Sequence, residues 1–266
     1  MPDYAAAATV VDRLIELDSD SVLRWGCPVP YFGRLSQARI ATVGINPSGR
    51  EFMDGEGNEL DGLDRRLPTL RSLGLRDWSD ADASHLRTIL TSCDSYFDSR
   101  PYDRWFRVLD SVLDGHGSTY YGKAASACHL DLVPYATAAK WGALEGGERR
   151  RLLEASRSAI GLFLRDSPIE ILVLNGRSVV EEFQRVTGAV LEPSVIPSWA
   201  LPRADGRPVP GIAYGGVVDR VGEIDLHRSV RVVGYNHNLQ SSFGVTGHVL
   251  RQIREWIRSA ETARFE

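Results

Sequence analysis

The stretch that decides the fold is residues 40–48, Ile-Ala-Thr-Val-Gly-Ile-Asn-Pro-Ser. The β-branched, apolar run Ile40 to Val43 predicts a buried strand, and the glycine and proline after it predict a loop at the strand's carboxyl end. A second apolar run, Val230 to Val233, is followed by residues 235–242, Tyr-Asn-His-Asn-Leu-Gln-Ser-Ser. Open α/β sheets place their binding sites in loops of this kind. We therefore expect both loops to contribute to one site at one edge of a parallel sheet.

Further segments complete an alternation of strands and helices. Cys128 to Val133, which ends before Pro134, and Ile169 to Leu174 are further strand candidates. Helical spacing of apolar residues marks the segments Tyr4 to Leu17, Tyr102 to Leu113, Glu148 to Leu164, Gly176 to Phe183 and Thr246 to Ile257, with Thr246 as the cap of the last. This alternation predicts an α/β fold, a three-layer α/β/α sandwich with a central four-stranded parallel sheet.

The length of 266 residues suits one domain with elaborations. We expect a single domain over residues 1–266, with an N-terminal helical extension over 1–35. Residues 49–82 are rich in Gly, Asp and Arg and predict a long loop or lid. Residues 193–227 predict an irregular insertion, because prolines crowd its first part and the Gly215-Gly216 pair in its second part favours a small hairpin.

Composition limits the classes of partner. The net charge is −4 and 25% of residues are charged, which argues against a broad cationic surface for nucleic acid but leaves room for a local basic groove. No apolar run approaches the roughly 20 residues that span a bilayer. The start of the chain also lacks the basic flank of a signal peptide. We therefore expect a cytoplasmic monomer that binds no membrane.

Cysteine spacing and glycine patterns argue against bound metals and nucleotide cofactors. Cys27, Cys93 and Cys128 are too widely spaced for a ligand pair and odd in number for a disulfide framework, which predicts buried free thiols. Residues 44–46 lack the spacing of a dinucleotide-binding fingerprint, and the sequence contains no GKS or GKT phosphate loop. We expect no metal, no metal cluster and no cofactor.

Two motifs together resemble those of the uracil-DNA glycosylase superfamily. Residues 44–48, Gly-Ile-Asn-Pro-Ser, resemble its first motif, especially that of the mismatch-specific and single-strand-selective branches. His237 and the polar residues after it resemble the second motif, although Asn238 and Leu239 replace the usual Pro-Ser. The intervening strands fit the family's order. The resemblance implies the fold given above and hydrolysis of the N-glycosidic bond of a pyrimidine flipped out of DNA.

The resemblance implies catalytic roles for Asn46 and His237. The carboxamide of Asn46 would orient a water against the sugar C1′, through positioning and electrostatics more than base catalysis. A neutral His237 would donate a hydrogen bond to the pyrimidine O2 as negative charge develops on the departing base. The residues alone leave two alternatives open, because an Asn before proline is a common turn residue and His237 could be a polar loop histidine.

Asp131 and Ser48 favour a cytosine that carries a C5 substituent. Asp131 stands where the family's second strand usually ends in an asparagine that reads uracil. A carboxylate only accepts hydrogen bonds, so it suits the N4 amino group of cytosine. Ser48 stands where strictly uracil-specific members carry a tyrosine, and it leaves space beside C5. Alternatively, Asp131 is a helix cap or an arginine partner, and Ser48 is a helix cap or a phosphate-binding hydroxyl.

The expected stacking partner and the DNA contacts are less clearly marked. The positions of the family's stacking aromatic hold Asn58 and Glu59. Phe52 or Tyr135 could replace it, with a place in the core as the alternative for each. We expect DNA contacts from the residues that surround the two motifs: Ser48, Arg50, Asn238, Leu239, Gln240, Ser241 and Ser242. Leu239 fits either an apolar wedge that fills the vacancy of a flipped base or a core residue.

The sequence therefore predicts a monofunctional DNA glycosylase that leaves an abasic site. The favoured substrate is a hydroxymethylated or glucosylated cytosine, as in phage DNA, which implies a role in antiviral defence. Lys123 and Lys140, the only lysines, lie outside both motifs, so we expect no covalent Schiff base. One alternative is a repair glycosylase for uracil or other deaminated pyrimidines. An alternative of another class is a non-catalytic α/β module that binds nucleotides or nucleic acid.

Overall fold

A six-stranded, mostly parallel sheet flanked by helices forms the frame of the protein. The structure is a computed structural model that describes residues 4–114, 117–203, 206–240, 242 and 244–262, with residues 260–262 described through their backbone alone. Its strands are β1 (Ile40–Gly44), β2 (Ala127–Asp131), β3 (Ile171–Asn175), β4 (Glu192–Val195), β5 (Ile212–Val221) and β6 (Ile224–Tyr235). Their order across the sheet is β2-β1-β3-β6-β5-β4. The predicted α/β class is confirmed.

The parallel part of the sheet consists of β2, β1, β3 and β6. β1 lies between β2 and β3, and all of its residues are buried. Burial on both faces explains why its sequence, apart from Thr42, is apolar rather than alternating. The carboxyl ends of β1 and β2 coincide, because Gly44 is paired with Asp131. This register brings the loop after β1 and the last residue of β2 to one edge of the sheet.

The predicted four-stranded sheet is too small, because the hairpin region belongs to the sheet. β5 runs antiparallel to β6, and β4 runs antiparallel to β5 at the sheet edge. The hairpin turns at Gly222, whose φ of +57° favours glycine. Gly215 and Gly216, predicted near the turn, lie inside β5, where a Cβ on Gly216 would come within 2.7 Å of Leu191. Pro193 is tolerated in β4 because that strand is an exposed edge.

All of the predicted helical segments contain helices, one of them divided in two, and two further helices lie between residues 70 and 94, where none was predicted. The helices are α1 (Tyr4–Glu16), α2 (Leu70–Leu73), α3 (Ala83–Asp94), α4 (Asp103–Leu113), α5 (Gly146–Ala155), α6 (Ala159–Arg165), α7 (Arg177–Thr187) and α8 (Gly247–Thr262). The single helix predicted over Glu148 to Leu164 is two helices, separated at residues 156–158 around the fully buried Ser156. No described helix has both the length and the apolar character needed to cross a membrane.

The segment after α1 is more than an extension of the fold. The backbone N–H of Phe32 donates to the carbonyl of His129 at 2.8 Å, and the N–H of His129 donates back to Phe32 at 2.9 Å. Phe32 is therefore fixed against β2, close to the carboxyl edge of the sheet. Cys27, Cys93 and Cys128 are buried free thiols, as predicted.

Thr246 caps α8, since its Oγ1 accepts a hydrogen bond from the backbone N–H of Val249 at 3.3 Å. We predict that Thr246→Ala lowers the free energy of unfolding by about 1 kcal/mol, because a helix N–H loses its partner. Thr246→Ser, which keeps the hydroxyl, should retain most of the stability. Urea unfolding followed by circular dichroism measures both changes. Equal losses in the two variants would contradict the capping role.

Candidate active site

A small cavity lies at the carboxyl ends of β1 and β2. Its volume is about 80 Å³, and three of the predicted site residues line it: Asn46, Ser48 and Asp131. A single water needs roughly 10–15 Å³, so the cavity has room for more than water. The sequence-based expectation that these three residues share one site agrees with this placement.

The carboxamide of Asn46 is held in one orientation. Its Nδ2 donates to the carbonyl of Pro47 at 3.1 Å and to Oγ1 of Thr137 at 3.1 Å, with a longer contact to the carbonyl of Tyr135 at 3.4 Å. All three partners are acceptors, so the nitrogen must face them and Oδ1 must face away. Asn46 is partly buried and lines the cavity. Its Oδ1 is therefore placed to accept a hydrogen bond from a water or ligand.

A chain of buried hydrogen bonds ends at Asp131. Tyr120 contacts Oγ1 of Thr42, Thr42 contacts Nδ1 of His129 at 2.7 Å, and Nε2 of His129 lies 3.3 Å from Oδ1 of Asp131. Burial raises the pKa of Tyr120, which keeps its hydroxyl a donor. A carboxylate at Asp131 requires a proton on Nε2, so Nδ1 accepts from Thr42 and Thr42 accepts from Tyr120. Every proton in the chain then points toward Asp131.

Gly44 allows this chain to lie close to β1. A Cβ on Gly44 would collide with Oδ1 of Asp131 and would come within 3.0 Å of Nε2 of His129. Any side chain larger than hydrogen would therefore push the carboxylate and the imidazole away from β1. Gly44, the glycine of the 44–48 motif, thus has a packing role. The motif sequence alone does not indicate this role.

Glu51 is a second acid in the cavity, and the sequence analysis missed it. It is the last residue of a one-turn 3₁₀ helix, Gly49–Glu51, and is 3% exposed. Its Oε2 accepts a hydrogen bond from the hydroxyl of Tyr96 at 2.5 Å. Burial raises the pKa of Glu51 to about 7, while the Tyr96 hydroxyl and the charge of Arg66 lower it and the charge of Asp131 raises it.

Aromatic rings form the walls of the cavity, but they are not the predicted ones. Phe32, Tyr102, Trp105 and Phe106 line it, and the Trp105 ring lies 4.9 Å from the His129 ring. Trp105 and Tyr102 are partly exposed, so their rings can contact a ligand. The helical spacing around Trp105 predicted only a core face for α4. No sequence signal linked Phe32, which precedes β1, to the same place.

Phe52 and Tyr135, the predicted stacking residues, lie in the core. Phe52 is 1% exposed and packs edge-on against Trp25. Tyr135 is 1% exposed, and its hydroxyl donates to the carbonyl of Val10 at 2.9 Å. Both rings are enclosed by α1 and the segment that follows it, which leaves no face open for a base. The base-recognition role expected of these two residues is therefore not supported.

An open groove of about 870 Å³ continues from the cavity and shares Asn46, Ser48 and Trp105 with it. Ser48 caps the 3₁₀ helix by accepting from the backbone N–H of Arg50 at 3.2 Å, so its predicted capping role is confirmed. Arg50 is exposed and lines the groove. Lys140 lines the groove as well, and so do the acidic residues Asp54 and Glu56. The groove is therefore a mixed rather than a uniformly basic surface.

His237 does not face the cavity. It is 2% exposed, and its Nε2 lies 2.8 Å from the carbonyl of Trp199, which can only accept. Burial lowers the pKa of His237 below its ordinary value, and the Trp199 bond offsets part of that shift. A neutral ring that donates from Nε2 has only an acceptor left at Nδ1. Within the described residues, His237 lines neither the cavity nor the groove, so the expected pairing with Asn46 is corrected.

The rest of the second loop contributes through Asn238. Asn238 is exposed and lines the groove together with Asn46 and Ser48, so the two motif loops do meet there. Leu239 is 6% exposed and belongs to the core, which favours the alternative of a core residue over a wedge. Gln240 accepts from Nδ2 of Asn175 at 2.9 Å. The N–H of Ser242 donates to the carbonyl of Asn238, and Ser241 lies outside the described residues.

The acidic and imidazole groups of the site do not form a metal centre. Among the residues that the structure describes, no group of three or more His, Cys, Asp or Glu side chains is arranged to hold a metal ion. The polar groups that line the cavity are the amide of Asn46, the carboxyl groups of Glu51 and Asp131, the hydroxyls of Ser48 and Tyr102, the indole of Trp105 and the imidazole of His129.

We predict that His237 stays neutral, with its proton on Nε2, to a lower pH than an ordinary imidazole with a pKa of 6.5. The folded state disfavours the charged ring, so the free energy of unfolding should fall as the pH drops through the unfolded pKa of about 6.5. Long-range ¹H–¹⁵N correlation spectra between about pH 5 and pH 8 measure the tautomer and the titration midpoint. A ring protonated on Nδ1, or a midpoint at or above 6.5, would contradict the assignment.

Two comparisons of the chain with known proteins returned no match. No family model matches the chain, and no curated protein matches it at a significant level. What the protein does must therefore be inferred from the cavity and the side chains around it.

Proposed function

We propose that the protein is a monofunctional DNA glycosylase that excises a C5-substituted cytosine and leaves an abasic site. The observation that carries the proposal is that one aromatic-walled cavity holds both the Oδ1 side of Asn46 and the carboxylate of Asp131. A planar base fits between aromatic rings, and the two polar groups supply what hydrolysis and base reading each require. The proposal includes the three-layer fold of the uracil-DNA glycosylase superfamily.

Asp131 provides the base selection. Its Oδ1 is occupied by His129, which leaves Oδ2 as an acceptor for a ligand in the cavity. The N4 amino group of cytosine is a donor and satisfies that acceptor. The O4 of uracil is an acceptor and would face the carboxylate unpaired, which costs about 1–3 kcal/mol. The proposed pocket therefore prefers cytosine over uracil.

Asn46 positions the water that acts as the nucleophile. Its Oδ1 accepts a hydrogen bond from a water, and the fixed amide orientation holds that water at the mouth of the cavity, where the sugar of a flipped nucleotide lies. An amide does not take up a proton, so its contribution is alignment of the water with C1′. No lysine is among the described residues that line the cavity, and Lys140 lines the groove beyond it. The proposal assigns the attack on C1′ to the water held by Asn46 rather than to Lys140.

Ser48 and the groove provide room for the C5 substituent. The small side chain of Ser48 stands where the cavity opens into the groove. A hydroxymethyl group can extend through this opening, and a glucosyl group can lie in the larger volume beyond it. Polar groups of the groove wall, among them Arg50 and Asn238, are placed to bond to a sugar or to the DNA backbone. An enzyme that removes such bases would act against phage DNA.

We predict that the wild-type protein releases 5-hydroxymethylcytosine or its glucosylated form from duplex DNA, and that Asn46→Ala slows release about 100–1,000-fold. The reason is the loss of the group that aligns the water. Single-turnover base release, with DNA binding measured by fluorescence anisotropy, provides both readouts. Gln37→Ala is the matched control, because Gln37 is an exposed amide that lines neither the cavity nor the groove.

The same experiment separates the alternatives. Release of uracil in preference to every modified cytosine would replace the proposal with a repair glycosylase. Tight DNA binding without release of any base from a panel of modified duplexes would reject catalysis and leave a binding module.

We predict that Asp131→Asn confers uracil excision and lowers excision of the modified cytosine by about 10–100-fold, equivalent to about 1–3 kcal/mol of base discrimination. In Asp131→Asn, the N–H of His129 still requires an acceptor, so the amide oxygen takes the position of Oδ1. The amide nitrogen then takes the position of Oδ2 and can donate a hydrogen bond to O4 of uracil. Competition between uracil and modified cytosine in one duplex measures the change. Asp166→Asn, an exposed change in the Arg165 pair, is the control. Unchanged base preference in Asp131→Asn would remove Asp131 from base recognition.

A further inference from the structure

The proposed reaction needs a group that stabilises the departing base. Breaking the bond between C1′ and N1 leaves an electron pair on the pyrimidine ring. His237, the expected donor, is bonded to the Trp199 carbonyl and lies away from the cavity. The cavity must supply the donor from another residue. Among the described residues that line the cavity, Glu51 is the one carboxylic acid besides Asp131.

We propose that Glu51 is the catalytic acid of this site and that it protonates N3 of the flipped cytosine-type base as the glycosidic bond breaks. This inference rests on the proposed function. The electron pair of the C1′–N1 bond moves into the ring, and the carboxyl proton of Glu51 forms an N–H bond at N3. The base therefore leaves neutral. The water held by Asn46 adds its oxygen to C1′, and its released proton restores the carboxyl group.

The contacts of Glu51 direct one of its oxygens into the cavity. Oε2 is engaged by the Tyr96 hydroxyl, and the Tyr96 oxygen in turn accepts from the N–H of Tyr102 at 2.9 Å. Oε1 has no hydrogen-bond partner among the described residues, yet it is not a fully enclosed atom. Because Glu51 lines the cavity, Oε1 is the atom that a bound base would meet.

The surroundings of Glu51 keep a proton on it near neutral pH. The pKa of Glu51 is raised to about 7, mainly by burial and to a smaller extent by the nearby carboxyl of Asp131 on β2. Tyr96 and Arg66, which approach from two other segments, lower it, and the His129 imidazole faces the same cavity. A base in the cavity displaces water and strengthens the burial effect. A carboxyl group with such a pKa can both donate and take back a proton at physiological pH.

The two acids together match one edge of cytosine. Asp131 accepts and a protonated Glu51 donates, while cytosine presents the N4 amino donor beside the N3 acceptor. Uracil presents the acceptor O4 beside the donor N3–H, so the donor and the acceptor of the cytosine edge are exchanged. The pair therefore links recognition to catalysis, because a base with a lone pair at N3 can receive the proton. Uracil has no such lone pair, so in Asp131→Asn it would leave as an anion, with an ionised Glu51 accepting from its N3–H.

Single-turnover excision as a function of pH tests the inference on the base that the wild-type protein releases. We expect the wild-type rate to fall about tenfold per pH unit above roughly pH 7, because only the protonated carboxyl is active. Glu51→Gln should be about 100–10,000-fold slower and lose that dependence, with unchanged DNA affinity, since an amide keeps the shape but does not transfer a proton. Glu154→Gln, an exposed residue of α5, is the matched control.

Two further measurements distinguish proton transfer from a structural role. The 3-deaza analogue of the substrate lacks the N3 lone pair, so it should slow the wild-type protein strongly and Glu51→Gln hardly at all. Tyr96→Phe removes a hydrogen bond that lowers the pKa of Glu51, so it should move the alkaline limb of the pH profile to higher pH.

The outcomes separate the two proposals. If the wild-type protein excises the base but Glu51→Gln retains its rate and pH profile, or if the effects of Glu51→Gln and 3-deaza substitution multiply independently, Glu51 is not the acid and the glycosylase proposal stands. If the wild-type protein releases no base from any modified duplex, both proposals are rejected.

Discussion

The approach of β2 to β1 at Gly44 is the constraint on which the site depends. Because Gly44 has no side chain, Asp131 and His129 can lie directly over β1. The relay from Tyr120 through Thr42 and His129 then gives each of its members a hydrogen-bond partner. Leaving one buried member without its partner costs about 1–3 kcal/mol, so the relay holds the carboxylate in one position. A rigid acceptor discriminates between donor and acceptor edges of a ligand better than a mobile one can.

Two carboxyl groups in one small cavity are expected to differ in protonation. Like charges at short range disfavour each other, and burial adds to that effect. Asp131 lies within hydrogen-bond distance of His129, whereas burial raises the pKa of Glu51 to about 7 and so favours its neutral form. Different environments thus give two chemically identical side-chain groups an accepting role and a donating role, a separation of acid and base functions that enzymes commonly use.

The sequence predicted the parts of the site that lie on strand ends, and it failed where side chains had to be located in space. Asn46 and Asp131 fall in one cavity because neighbouring parallel strands end at the same edge, which a strand pattern reveals. A strand pattern does not indicate the direction in which the side chain of a loop residue points. The sequence therefore predicts His237 at the same site as Asn46, whereas its side chain faces Trp199. Phe52 was chosen for its ring, but only packing shows that the ring is enclosed. Glu51 carried one weak signal, an acid in the capped turn directly after the Asn46 motif.

The fold shows the same division between local and long-range information. Apolar runs and helical spacing located most elements, whereas the extension of the sheet by β5 and β4 depends on pairing between distant segments.

The most direct test of the central claim is a crystal structure with duplex DNA that carries 5-hydroxymethylcytosine on a sugar resistant to hydrolysis. The account predicts a base flipped into the cavity, with its N4 about 3 Å from Asp131. A base that stays stacked in the duplex, or one bound beside His237 with the cavity empty, would contradict it.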